Sequence, residues 1–142
     1  MGKSNTFDND FLKLIFNATA IANLADNAAG SPLTNLYAAL HTADPTDSGN
    51  QSSSECNYTS YARVAIDRSS SGWTVTGASV SPLANVLFPV CTGGTNTATY
   101  WSVGTAASGT GKILYSGAIS PTISIATGIT PVLTTASTIT ES

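Results

Sequence analysis

The sequence predicts an all-β fold with one N-terminal helix: a single-domain antiparallel β-sandwich of jelly-roll type with about eight short strands. Three observations carry this expectation. Apolar residues recur at helical spacing in one place only, short apolar segments divided by turn residues fill the chain beyond Pro32, and no strand–helix alternation marks a parallel α/β sheet. A chain of 142 residues has room for one hydrophobic core. The organisation therefore reads as an N-terminal segment, 1–30, followed by a β domain, 31–142.

In the first segment Phe11, Leu14, Ile15, Ala18, Ile21, Ala22 and Ala25 form one apolar stripe. Asp8 suits the N-cap, because its carboxylate can accept from the free amides of the first turn, and Phe7 and Leu12 fit a hydrophobic staple around it. Residues 27–30 supply the stop, and Pro32 prevents continuation. The strands then run from Leu36 to His41, Tyr61 to Ile66, Trp73 to Thr76, Asn85 to Val90, Thr97 to Val103, Lys112 to Ser116, Thr122 to Ala126 and Thr130 to Thr134. Ser69-Ser70-Ser71-Gly72 reads as the turn of a hairpin joining the second and third of them.

Charge narrows the classes of function. Charged residues are 9% of the chain and the net charge is −3, so no basic face exists to neutralise a phosphate backbone, and nucleic-acid binding is excluded. No apolar run reaches the roughly 20 residues that span a bilayer as a helix, so no membrane partner is expected. Residues 69–142 carry only Lys112 and Glu141 among charged side chains. A surface this neutral lacks the repulsion that keeps proteins apart, which points to burial against neighbouring subunits or a larger assembly.

The residues that carry chemistry elsewhere do not converge here. His41 is the only histidine and has no partners in sequence at triad or general-base spacing. Asp44, Asp47 and Glu55 match no calcium-loop spacing and read as solvated loop acids. The segment Ala106 to Ile113 has the Gly-Lys of a phosphate-binding loop but lacks its opening glycine and its magnesium-binding hydroxyl, so Gly109 and Gly111 read as loop glycines instead. Cys56 and Cys91 have no metal-ligand spacing, and two readings stay open: separate packing residues, or a disulfide formed outside the reducing cytoplasm. No metal, cofactor or catalytic residue is expected. Trp73, Tyr100 and Trp101 form a candidate partner- or sugar-binding set, with the adjacent Tyr100 and Trp101 on opposite sheet faces. Together with the helix stripe, they give a candidate interface of Phe11, Leu14, Ile15, Ile21, Trp73, Tyr100 and Trp101.

Several ordered segments carry a family resemblance: Leu36 through Pro45 with its Gly/Ser loop, Tyr61-Ala62-Arg63-Val64-Ala65, Tyr100-Trp101-Ser102-Val103-Gly104 continuing to Gly109, and Lys112 to Ile119. In this order they resemble small virion proteins of tailed bacteriophages, tail-fibre-like or capsid decoration proteins, over nearly the whole chain. The resemblance implies a non-enzymatic, often homotrimeric β-sandwich placed on the virion after assembly in the host cytoplasm. The expectation it favours is a cement protein that binds the major capsid protein on the outside of the head. A tail-fibre or baseplate module that binds a host receptor or glycan through the loop at Ser48–Ser60 is the alternative.

Overall fold

Ser4 starts the one helix among the described residues. In the computed structural model, which describes residues 2–27 and 30–142, Ser4 has extended backbone and its hydroxyl accepts from the Phe7 amide at 3.3 Å, opening α1 (Asn5–Asn17). Asp8, expected as the cap, lies inside the first turn instead. It is buried there, 3.9 Å from the Lys3 ammonium. The helix also stops before the expected end, because Ala18 turns left-handed at φ 54° and the Thr19 amide closes on the Lys13 carbonyl at 3.1 Å. Beyond it Ile21 and Ala25 face each other across an isolated antiparallel bridge. Of the expected helix stop, Ala28 and Ala29 lie outside the described residues.

Nine strands follow among the described residues: β1 (Asn35–His41), β2 (Val64–Asp67), β3 (Trp73–Thr76), β4 (Ser79–Pro82), β5 (Val86–Leu87), β6 (Asn96–Gly104), β7 (Ile113–Ile125), β8 (Val132–Leu133) and β9 (Ile139–Thr140). The protein is mostly β, with antiparallel sheets and a single short N-terminal helix. The chain groups into two compact units.

The first unit comprises Met1–Asn35, Ile66–Asn85 and Leu133–Ser142. Gly77, at φ 59°, closes a tight hairpin from β3 to β4 with Thr76 opposite Ser79, and β9 adds to β4 through Val80 and Ile139. This hairpin replaces the expected one between the second and third predicted strands, since β2 lies beside β1. Helix α1 packs on β3 and β4, burying Asp8, Leu12 and Phe16 at successive turns. The Phe16 ring meets Trp73 edge-on at 4.8 Å. Burial of side chains this size contributes about 1.5–3 kcal/mol each, so this contact anchors the unit. Arg68 fastens the end of the helix: its guanidinium donates to the Leu14 and Ile15 carbonyls, both at 2.7 Å, and to Asn27 and Leu33.

The second unit comprises Leu36–Ala65 and Val86–Val132. Its sheet runs β2-β1-β6-β7, and a two-stranded ribbon pairs β5 with β8. β1 lies antiparallel to β6 from Tyr37 opposite Gly104 to His41 opposite Tyr100. Ala38 to His41 are all buried, so this strand is covered on both faces. The two expected strands at Lys112–Ser116 and Thr122–Ala126 are one strand, β7. Between them the pairing jumps from Tyr100–Ala118 to Ala98–Ile123, which leaves Ile119 to Thr122 as a bulge containing the cis Ser120–Pro121 bond.

Candidate functional site

In the second unit a polar network ties two surface loops into one body. Arg63, whose side chain is almost wholly buried, grips the Glu55 carboxylate with Nε and Nη2 at 2.7 and 2.8 Å. The same guanidinium crosses to the other loop. Nη1 donates to the Ala106 carbonyl at 3.0 Å and Nη2 to the Gly109 carbonyl at 2.6 Å. Tyr61 adds a donor to Glu55 at 2.9 Å while accepting from the Leu40 amide at 3.1 Å. Glu55 is thus part of an ion pair and not a solvated loop acid. Such bidentate contacts are strong because both oxygens of the carboxylate are used by one rigid fork.

Gln51 performs the second tie. It is fully buried, its side-chain oxygen accepts from the Ala106 amide at 2.9 Å, and its backbone N–H donates to the Gly111 carbonyl at 3.0 Å. Gly104 and Gly111 flank it so closely that a Cβ on either would collide with the Gln51 side chain. Gly111 is therefore required for close approach, whereas Gly109, at φ 76°, is required for its backbone conformation. Ser52 completes the seam by donating to the Gly109 carbonyl at 2.8 Å. Above it the exposed positions are small and mostly polar: Thr42, Asp44, Thr46, Asp47, Ser48, Ser52 and Ser54 from one loop and Ser108 and Thr110 from the other, with Ala43 and Ala107 among them. Asp44 turns back to accept from the Thr46 amide at 2.8 Å.

His41 sits beneath these loops. Its Nδ1–H donates to the Ser53 carbonyl at 2.8 Å, which leaves Nε2 to accept from the Ser102 hydroxyl at 2.8 Å. The pair has the outline of a nucleophile and base, but both side chains are 0% exposed, so no solute reaches the Ser102 oxygen. Burial holds the imidazole below its ordinary pKa. Burial likewise pushes the Tyr61 phenol up and, together with the Glu55 carboxylate, the Cys56 thiol up to about 12. Cys56 and Cys91 are both buried with free thiols, and the Cys91 thiol faces the Gly93 carbonyl at 3.2 Å. No group of three or more His, Cys, Asp or Glu side chains among the described residues is arranged to hold a metal ion.

The candidate interface residues divide between the two units. Phe11, Leu14 and Ile15 are half-buried on α1, Ile21 is half-buried at the isolated bridge, and Trp73 is buried against Phe16. Tyr100 and Trp101 belong to β6, the first half-buried and the second buried. The loop network escapes sequence reasoning because Gln51 and Glu55 lie in no recognisable motif, and the Tyr61–Ala65 segment that holds Arg63 assigns it no role. Charge spacing does not find the pair either, since Asp67 lies nearer to Arg63 in sequence than Glu55 does.

The family model described as Podophage GP4 fiber I protein gp80 matches residues 2–140. A search of curated proteins returned no match.

Proposed function

This chain belongs to the family described as Podophage GP4 fiber I protein gp80, a structural virion protein family of tailed phages, and from that premise we propose that it is a fibre subunit working without catalysis. The observation that carries the reading is the family match, which spans both units from residue 2 to residue 140. The favoured cement expectation gives way here to its alternative, because the family description speaks of a fibre. The loop seam supports the same reading. Arg63, Gln51 and Ser52 hold residues 42–57 and 104–111 together before any contact is made, and a surface ordered in advance loses little further entropy on binding. Its exposed hydroxyls and carboxylates suit a polar ligand such as a host surface glycan, approached repeatedly by many copies on one particle.

The test is the copy number of this chain in purified virions, measured by quantitative mass spectrometry against the major capsid protein. A fibre subunit is present at a small multiple of the tail symmetry. Hundreds of copies per particle would sink this proposal and favour the cement protein.

A further inference from the structure

Between Thr46 and Ser54 the first loop is bent against its own preference. Both residues take the left-handed conformation, at φ 61° and 51°, without being glycine, and Thr46 is β-branched. The segment between them, 47–53, is fastened to the sheet at its far end. There the Ser53 carbonyl accepts from His41 Nδ1–H at 2.8 Å, while Ser52 and Ser54 on either side are exposed. One thickness of chain therefore separates the buried imidazole from solvent. On β6 the Ser102 hydroxyl donates to Nε2 at 2.8 Å and has no second partner among the described residues.

We propose that His41 is a pH-operated latch: a proton taken up on Nε2 releases segment 47–53 from the sheet and loosens the polar surface above it. With the loop down, Nε2 holds a lone pair to which Ser102 donates. Protonation turns Nε2 into a donor, so the Ser102 oxygen has to accept, and its own O–H is left in a buried site with no acceptor. Lifting the loop brings water to the imidazolium and removes that conflict, and Thr46 and Ser54 relax with it. Two charged groups bear on the ring: Glu55 favours the imidazolium and Arg63 opposes it, and the two are locked to each other. Burial outweighs both, and the open loop lifts it. Tyr61 and Cys56, which bond the neighbouring Leu40, are pushed up by burial and stay neutral, and the titratable residue opposite His41 on β6 is Tyr100. The latch would regulate the surface read above as the fibre's contact, and for its use it rests on that reading.

Amide exchange of the full chain between pH 7.5 and 5.0, corrected for the intrinsic rate, tests the latch. The Gln51 and Ser53 amides, bonded to the Gly111 and Asn50 carbonyls at 3.0 and 2.9 Å, are expected to lose protection below about pH 6.5, by at most about tenfold per pH unit and by about fivefold or more at pH 5.0. At each pH they are expected to exchange about tenfold or more faster than amides of the β1–β6 ladder, and at a rate that low urea leaves unchanged, because local opening exposes little surface. In His41→Gln the corrected loop rate should not depend on pH. Loop protection that ignores pH in the wild type, loop and ladder amides that exchange together, or the same pH dependence in His41→Gln would each overturn the latch. Should His41→Gln fail to fold, the wild type decides alone, because His41 is the only histidine and no other side chain ordinarily titrates between those limits. None of these outcomes alters the copy number that tests the fibre reading.

Discussion

Around Phe16 the chain is held by rings and aliphatic side chains; around Arg63 it is held by hydrogen bonds from one guanidinium to a carboxylate and two loop carbonyls. The first arrangement is non-directional and depends on volume. The second depends on geometry and fixes where particular loop atoms lie. Apolar packing is enough to seat a helix on a hairpin, whereas holding two glycine- and serine-rich loops in one conformation needs donors and acceptors at set positions, because those loops have little apolar surface to bury. Both units have an apolar core, and what sets the second apart is the polar seam that fixes its loops.

Truncating the ring contact should give the largest loss. Trp73→Ala is expected to destabilise the protein by about 3–5 kcal/mol, read as a lowered urea midpoint, because a cavity opens against Phe16. Arg63→Ala is expected to cost about 3 kcal/mol, since it strips the guanidinium from the Ala106 carbonyl and leaves the Glu55 carboxylate with Tyr61 and the Gly109 carbonyl with Ser52 as donors. The two differ in kind. Arg63→Ala should raise amide exchange across 104–111, and Trp73→Ala should leave that loop unchanged at temperatures where the fold persists. An equal effect of both substitutions on the loop would erase the contrast between the two units.

Acid should act on the second unit through His41. Burial lowers its pKa in the fold, so below about 6.5 the unfolded chain takes up the proton more readily. Stability is then complete above that pH and falls as the pH drops toward the lowered native value, by at most about 1.4 kcal/mol per pH unit for one proton. His41→Gln is expected to reduce stability at neutral pH yet flatten this dependence, as measured by urea titration between pH 7 and 5. The smallest effect concerns the thiols. With Cys56 buried and its pKa pushed up to about 12, and Cys91 buried, neither should react with a thiol reagent in the native protein, and both should do so in denaturant.

Much of this architecture is legible in the residues, and the misses have specific causes. Apolar runs such as Leu36 to His41 and Thr97 to Val103 mark buried strands because little else explains them. Ser4 and Asp8 are both good capping types, and the sequence alone does not show that Asp8 would be drawn into a buried position near Lys3. The end of the helix at Ala18 carries no signal either, since a left-handed alanine is set by its surroundings and not by its own preference. The β3–β4 hairpin hides behind Pro82, which reads as a turn residue although it closes a strand. His41 has no partner nearby in sequence because the groups that hold it, Ser53 and Ser102, lie 12 and 61 positions away. The loop seam has the same character: its ties join residues about 40 to 60 positions apart, and no local pattern encodes them.

Labelling of intact virions with an antibody against the exposed loop at Thr42–Ser54, imaged by electron microscopy, tests the central claim most directly. Label confined to fibres is the result expected of a subunit whose ordered loops face outward on that structure. Label spread evenly over the head would contradict it.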